Sequence, residues 1–199
     1  MDLHNAKIAL RREIRSKLNE LAPAEKASLD ASLTEQVMQH PWVKSADTLL
    51  CYVSLPFEPY TGRIIEAAWN QSKQTAFPVC TAPGEMRFIL ADSWDVMHPG
   101  AYNIPEPAGT NEPEITAQTV CLVPAFAFTP DGRRLGKGGG YYDRFLAVHP
   151  NLRTLGLTYA FLLQEDIPCE SHDIGVNAVI TDRKSSFGGN HGKSGANES

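Results

Sequence analysis

The first forty residues place apolar side chains at helical spacing. Within residues 3–21 the apolar positions recur every three or four residues, and arginine and lysine fill the other faces. A second run begins at Pro23, which suits the first turn of a helix, and we expect it to end near His40-Pro41. The inward positions of the two runs are Ala6, Leu10, Ile14, Leu18, Leu21, Leu29, Leu33 and Val37. The pattern predicts an N-terminal pair of helices.

Beyond Asp47 the pattern changes to short apolar runs bounded by turn residues, which are typical of buried strands. The predicted strands cover residues 48–55, 75–79, 86–90, 119–123, 152–158 and 176–181. Thr61 is a candidate cap for a third helix, and another helix is expected from about Gly139 to Val148. Because strands alternate with helices, we predict an α/β fold whose sheet contains parallel pairs.

Three polar or irregular segments complete the chain. Thr81-Ala82-Pro83-Gly84 has the composition of a turn. Residues 92–118 are rich in proline, glycine and acidic residues, and we predict that they form a long ordered loop region. After Asp182 the composition shifts to serine, glycine, asparagine and lysine. We therefore expect one domain over residues 1–184 and a disordered tail over residues 185–199.

Composition and charge exclude several classes of function. The formal net charge of -5 disfavours nucleic acid as the main partner, because phosphate backbones reward an excess of lysine and arginine. The cysteines, Cys51, Cys80, Cys121 and Cys169, are scattered without zinc-ligand spacing or the density of a disulfide framework. The N-terminus lacks an apolar signal core, and no apolar run is long enough to span a bilayer. We expect a soluble cytoplasmic protein.

The segment with the clearest chemistry is Arg134-Leu135-Gly136-Lys137-Gly138-Gly139-Gly140-Tyr141-Tyr142-Asp143. It follows a buried strand and a turn at residues 129–132, and it opens a helix. Closely spaced glycines let backbone N–H groups converge on one anion, and the positive end of the helix adds to this. Arg133, Arg134 and Lys137 supply cations, and Asp143 offers an oxygen ligand for magnesium. The pattern favours a site for a nucleotide triphosphate.

A flexible surface turn is the alternative for any glycine-rich segment. An isolated glycine pattern would favour that alternative, and the Walker sequence is absent here. The preceding strand, the following helix, the cations and the aspartate together fit a phosphate site better. Tyr141 and Tyr142 remain ambiguous: one is expected to pack on the sheet and the other to line the site.

These residues carry a resemblance to a known family. Residues 123–128 followed by residues 132–143 resemble the signature of the 5-formyltetrahydrofolate cyclo-ligase family. Weaker matches are Lys7-Ile8-Ala9-Leu10-Arg11, the loop from Ser54 to Thr61, and Asn103-Ile104-Pro105-Glu106-Pro107. The similarity extends from Lys7 to Thr181. It implies a three-layer α/β/α sandwich with a mostly parallel central sheet.

The resemblance also implies a role for individual residues. ATP is assigned to Lys7, Ile8, Ala9, Leu10, Arg11, Arg134, Leu135, Gly136, Lys137, Gly138, Gly139, Gly140, Tyr141 and Tyr142. Reduced folate is assigned to Val53, Glu58, Gly138, Gly139 and Tyr141, and Mg²⁺ to Asp143 and Asp173. Catalysis is assigned to Arg134, Lys137 and Tyr142. As a ligand at a loop–helix junction, Asp143 is expected to contribute little to the core.

The implied activity is the ATP- and Mg²⁺-dependent conversion of 5-formyltetrahydrofolate to 5,10-methenyltetrahydrofolate, with release of ADP and phosphate. The implied route is phosphorylation of the formyl oxygen followed by attack of N10, and it needs no protein nucleophile. We expect a monomer without nucleic-acid or membrane partners. Two alternatives stay open at this point. A small-molecule kinase would stop after phosphoryl transfer, and a non-catalytic folate- or nucleotide-binding protein would show affinity without turnover of ATP.

Overall fold

The computed structural model describes residues 2–100 and 103–183. The helices are α1 (Leu3–Asn19), α2 (Pro23–Gln39), α3 (Pro41–Ser45), α4 (Gly62–Asn70) and α5 (Tyr141–Val148). The strands are β1 (Thr48–Leu50), β2 (Gln74–Ala82), β3 (Glu85–Leu90), β4 (Met97–Pro99), β5 (Pro105–Pro107), β6 (Thr119–Val123), β7 (Ala127–Phe128), β8 (Arg134–Leu135), β9 (Arg153–Leu157) and β10 (Ala178–Ile180). Within the described ranges, no helix is long and apolar enough to cross a membrane.

The central sheet has the order β10-β9-β6-β1-β2-β3. All its neighbouring pairs are parallel except β2 with β3, which form an antiparallel hairpin. The chain leaves β1 toward β2 on one side, and it later continues from β6 toward β9 on the other. The order therefore reverses between β1 and β6, and in open α/β sheets ligands bind outside the carboxyl ends of the strands at such a point.

Side chains alternate between two cores on opposite faces of this sheet. Leu49 and Cys51 of the first central segment belong to the core beneath α1, α2 and α4, while Leu50 belongs to the core beneath α5. In β6, Val120 and Leu122 likewise face the first core, and Cys121 and Val123 face the second. Covering both faces explains why the central strands read as continuous apolar runs. The predicted three-layer α/β/α sandwich is confirmed.

The helical prediction needs two corrections. The second helix ends at Gln39 as expected, but Pro41 begins another short helix. A proline is compatible with the first turn of a helix, and His40 Nδ1 accepts a hydrogen bond from Trp42 N at 3.3 Å. Thr61 precedes α4 but does not cap it with its side chain. Its hydroxyl instead donates to the carbonyl of Tyr52 at 2.6 Å, which fixes the loop after β1.

Several strand boundaries also differ from the prediction. The apolar run at 48–55 forms a strand only as far as Leu50, because the following residues turn into a loop in which Leu55 N donates to Glu58 Oε2 at 2.8 Å. β2 continues beyond Val79 to Ala82, so the predicted turn shortens to Pro83 and Gly84, where Gly84 has a φ of 80°. The predicted loop region at 92–118 contains a 3-10 helix at Trp94–Val96 and the β4–β5 hairpin. The predicted tail at 185–199 lies outside the described residues.

Candidate active site

Loops that follow β1, β6 and β9 meet at the carboxyl-terminal edge of the sheet, and the N-terminal half of α1 lies against them. The loop after β1 contributes Glu58, and the segment after β6 contributes residues 136–140, which we call the glycine loop. The connection after β9 contributes Glu170 and Asp173. Parallel strands place their carboxyl ends at one edge, so these distant segments converge there.

Positive backbone angles shape the glycine loop. Gly138 has a φ of 98° and Gly140 has a φ of 67°, which are conformations that a residue with a Cβ adopts at a cost. Gly140 stands directly before α5, and no side chain caps the helix there. The start of α5 therefore directs backbone N–H groups toward the glycine loop, an arrangement that suits an anion.

Two cations of α1 contact the other segments of the site. Lys7 Nζ lies 2.5 Å from Asp173 Oδ2 and 2.7 Å from Glu170 Oε2. Burial opposes the charged form of Lys7, but the hydrogen bonds that Lys7 donates to both carboxylates, together with their negative charges, outweigh it and raise the pKa of the amine. One turn later, Arg11 Nε donates to the carbonyl of Gly136 at 2.9 Å. In the described part of the chain, no carboxylate forms an ion pair with Arg11, so its guanidinium retains donors for a ligand.

Arg134 is enclosed rather than exposed to solvent. Its side chain is 4% exposed, and Nη2 lies 2.6 Å from Asp143 Oδ1. Its Nε donates to the carbonyl of Ile174 at 2.8 Å, and the N–H of Ile174 donates to Asp143 Oδ1 at 2.9 Å. Arg134 and Asp143 therefore join the glycine loop to the segment that carries Asp173.

Lys137 connects the glycine loop with the loop after β1. Its Nζ lies 2.6 Å from Glu58 Oε1, and Glu58 is 3% exposed. The geometry of this ion pair is not that of a hydrogen bond, and within the described ranges Oε1 receives no hydrogen bond. A buried carboxylate oxygen without a hydrogen-bond donor is costly, so it is suited to accept one from a ligand.

A second buried carboxylate holds the backbone next to Glu58. Asp30 Oδ1 accepts hydrogen bonds from Tyr60 N at 2.8 Å and from the Tyr159 hydroxyl at 2.6 Å. Its other oxygen lies 2.9 Å from Lys26 Nζ. Sequence reasoning missed Asp30, which is 129 positions from Tyr159 and has no local motif.

The two adjacent tyrosines differ in environment. Tyr142 packs edge-on against Phe88, and within the described residues its buried hydroxyl has no hydrogen-bond partner. Burial raises the pKa of this hydroxyl well above its ordinary value. Tyr141 lies at the boundary with the β2–β3 hairpin, where its side chain is a neighbour of Cys80. Tyr142 is thus the tyrosine that packs on the sheet, and its catalytic role stays a prediction.

Asp143 and Asp173 have the character required of magnesium ligands. Their side chains are 19% and 18% exposed, and each holds one oxygen in contacts with a cation and a backbone N–H. In the described part of the chain, Asp143 Oδ2 receives no hydrogen bond. Carboxylates oriented through one oxygen suit an ion that takes oxygen ligands. Glu170 and His172 also have ligand atoms within 4.8 Å of Asp173, a grouping that the sequence analysis did not predict.

The remaining predicted residues occupy less distinctive positions. Ile8 and Ala9 are exposed on α1, Leu10 packs partly against the first core, and Val53 does the same from the loop after β1. Arg133 is not directed into the site: it pairs with Asp131 at 3.1 Å and with Asp166. Adjacent arginines thus have different roles, and only Arg134 joins the convergent loops.

The fold and the site define an α/β protein with a glycine loop, cations and carboxylates at the carboxyl ends of a parallel sheet. The sequence model of the 5-formyltetrahydrofolate cyclo-ligase family matches residues 3–182 of this chain. The match covers most of the sequence and includes every segment of the site. The chain belongs to the 5-formyltetrahydrofolate cyclo-ligase family, a family of enzymes.

Individual relatives agree with this assignment. The 5-formyltetrahydrofolate cyclo-ligase of Mus musculus is 26% identical over 195 residues, covering 89% of this chain and 94% of the relative. The enzyme of the same name from Escherichia coli K12 is 28% identical over 183 residues, covering 86% and 97%. The solved structure of Aquifex aeolicus 5,10-methenyltetrahydrofolate synthetase is similar with a TM-score of 0.76 at 25% identity, covering 89% of this chain and 90% of that one.

Proposed function

We propose that the protein converts 5-formyltetrahydrofolate to 5,10-methenyltetrahydrofolate with MgATP as the energy source, releasing ADP and phosphate. The observation that carries this proposal is the convergence of α1, the glycine loop and two aspartates at the switch point of the sheet. Membership of the cyclo-ligase family supports the choice of folate as substrate. In this proposal a single domain over residues 1–184 acts as a cytoplasmic monomer.

The nucleotide phosphates bind at the glycine loop. Backbone N–H groups from Gly136 to Gly140 and the start of α5 surround them, and Arg11 and Lys7 approach from α1. Lys7 is paired with Asp173 and Glu170, so a bound phosphate either shares Lys7 with these carboxylates or replaces them as its partner. Arg134 is already bound to Asp143 and orients that carboxylate instead of reaching out to the nucleotide.

Asp143 and Asp173 would hold the magnesium ion. When bound, Mg²⁺ neutralises charge on the phosphates during transfer. The protein orients Asp143 through Arg134 and the N–H of Ile174, and it orients Asp173 through Lys7 and the N–H of Glu170. Such supporting hydrogen bonds fix carboxylates before a ligand arrives.

The folate lies between the glycine loop and the loop after β1. Glu58 Oε1 is buried, adjacent to Lys137, and able to accept a hydrogen bond from an N–H group of the pterin ring. Gly138 and Gly139 of the glycine loop border this space together with Tyr141 of α5, and Val53 borders it from the other side. Glu58 thus recognises the heterocycle while Lys137 keeps its charge compensated.

The chemistry begins with an amide, whose carbon is a poor electrophile and whose oxygen is a poor leaving group. The formyl oxygen attacks the γ-phosphorus of ATP, and the bond to ADP breaks. N10 of the folate then attacks the formyl carbon and loses its proton, and the C–O bond breaks to release phosphate. The protein contributes positioning and electrostatic stabilisation, and it supplies no covalent nucleophile.

Absorbance tests the proposal. Purified protein is mixed with 5-formyltetrahydrofolate, magnesium and ATP, with a control that lacks ATP. We expect an ATP-dependent rise in near-ultraviolet absorbance, because the methenyl product has an extended chromophore that the substrate lacks. Hydrolysis of ATP without the chromophore would support a kinase, and folate binding without either change would support a binding protein; both results contradict the proposal.

A further inference from the structure

Arg144 joins two segments that border the proposed substrate sites, although no predicted role includes it. Its Nε donates to the carbonyl of Gly84 at 2.6 Å, at the tip of the β2–β3 hairpin. Its Nη2 donates to the carbonyl of Gly139 in the glycine loop. The side chain is exposed, yet its donors serve two backbone carbonyls that are far apart in sequence. We call this pair of contacts the arginine bridge.

Glycine at both contact points permits the arginine bridge. A Cβ on Gly84 would lie 2.2 Å from Arg144 Nη2, and Gly84 also has a φ of 80°. A Cβ on Gly140 would lie 2.7 Å from Arg144 Nη1. A side chain at either position would force the guanidinium to move, so the glycines leave the space that it occupies. The hairpin tip and the glycine loop are thus shaped around the same side chain.

The contact with Gly139 determines the direction of a neighbouring donor. In a trans peptide the C=O and the N–H point in opposite directions, and the described residues contain no cis peptide bonds. Holding the Gly139 carbonyl toward Arg144 turns the N–H of Gly140 away from the hairpin. Arg11 binds the Gly136 carbonyl in a similar way from α1. Two carbonyl oxygens that would repel a phosphate are thereby occupied by arginine donors.

The arginine bridge also lies beside the ring of Tyr141. The centre of the Arg144 guanidinium lies 6.0 Å from the centre of the Tyr141 ring. Arg144 therefore contacts the hairpin tip and the glycine loop, and it lies beside the Tyr141 ring. We propose that Arg144 is a positioning residue that fixes the glycine loop against the β2–β3 hairpin for nucleotide binding. This inference rests on the proposed binding of ATP at the glycine loop.

Calorimetric titration with magnesium and a non-hydrolysable ATP analogue tests the bridge without requiring turnover. We expect Arg144→Ala to bind the analogue roughly tenfold more weakly, since the lost hydrogen bonds are charge-assisted. Arg144→Lys should recover part of the affinity, because an ammonium group reaches one carbonyl but lacks the planar fork. Arg87→Ala is the control, because Arg87 is an exposed arginine of the same hairpin that pairs with Glu112.

Steady-state kinetics provide a second readout. Loss of loop positioning should raise KM for ATP more than it lowers kcat, whereas general destabilisation would alter the melting temperature. If Arg144→Ala fails to fold, Gly84→Ala replaces it, because its Cβ displaces the guanidinium from the hairpin.

Equal affinity in wild type and Arg144→Ala would overturn the inference and leave the proposed function intact. An equal loss of affinity in Arg87→Ala would overturn it as well. Failure of the wild type to bind the analogue would instead contradict the proposed function, on which the inference depends.

Discussion

Two adjacent arginines, Arg133 and Arg134, occupy very different surroundings. The side chain of Arg134 is 4% exposed and binds Asp143, whereas that of Arg133 is 39% exposed and pairs with Asp131 and Asp166 at the surface. An exposed pair contributes little, since water screens it, while breaking a buried pair leaves an uncompensated charge. The comparison shows that burial, not proximity in sequence, separates the site from its solvated surroundings.

The largest effect is expected at the buried pair. Asp143→Asn retains an oxygen to accept from Arg134 and Ile174 but removes the charge that would hold magnesium. We expect turnover to fall by about a hundredfold or more, with a smaller loss of thermal stability than an alanine replacement causes, because the amide oxygen still accepts from Arg134. The absorbance assay measures turnover, with Asp131→Asn as the exposed control. Wild-type turnover in Asp143→Asn would rule out its metal role.

Replacement of the same residue by alanine should also destabilise the fold. The sequence analysis expects Asp143 to contribute little to the core, but the structure corrects this expectation because Arg134 would lose its partner. We expect Asp143→Ala to cost about 3 kcal/mol of unfolding free energy. Urea denaturation measures this cost. An unchanged midpoint would show that water compensates Arg134.

Glu58 extends the comparison to the folate side of the site. Glu58→Gln removes the charge that pairs with Lys137, and its neutral amide oxygen is a weaker hydrogen-bond acceptor for the pterin ring. We expect kcat/KM for the folate to fall about tenfold to a hundredfold, with a smaller change for ATP. Glu35→Gln on the exposed face of α2 is the matched control. An equal effect on both substrates would argue against a specific contact with the folate.

The stability of the fold is expected to depend on pH through the Tyr159 hydroxyl. Burial, together with the hydrogen bond to Asp30, raises the pKa of Tyr159 above its ordinary value of 10.0. The unfolded chain therefore loses this proton first, so the contribution to stability is complete below pH 10.0 and is lost as pH rises toward the folded-state pKa. Urea midpoints should fall above pH 10, and less steeply in Tyr159→Phe. Parallel curves for the two proteins would contradict this assignment.

The smallest effects are expected outside the site. Arg133→Ala should leave the urea midpoint and turnover essentially unchanged, because its ion pairs are exposed. Deletion of residues 185–199 should also leave turnover essentially unchanged, since the family match ends at residue 182. A large loss of turnover in either variant would show that the site extends beyond the convergent loops.

Local patterns predicted the parts of the fold that depend on local chemistry. Pro23 begins α2, residues 119–123 form a central strand, and the glycines precede α5, because each signal acts on its own stretch of backbone. The end of β1 at Leu50 was not predictable, since residues 51–53 continue the apolar run and pack in or against the first core although the strand has ended.

The partners within the site were less accessible to sequence reasoning. The glycine loop and Asp143 form one motif, but the contacts of Lys7 with Glu170 and of Asp30 with Tyr159 join residues more than a hundred positions apart. Nothing local distinguishes such carboxylates from solvated ones. Arg144 is likewise an ordinary helical arginine until the hairpin tip is placed beside it.

The central claim is that ATP activates the formyl oxygen at the glycine loop, and an isotope experiment tests it most directly. The substrate is 5-formyltetrahydrofolate labelled with ¹⁸O in the formyl group, and the released phosphate is analysed by mass spectrometry. The account predicts one ¹⁸O atom in each phosphate for each methenyl product formed, because the C–O bond breaks after phosphoryl transfer. Unlabelled phosphate formed together with the methenyl product would contradict it.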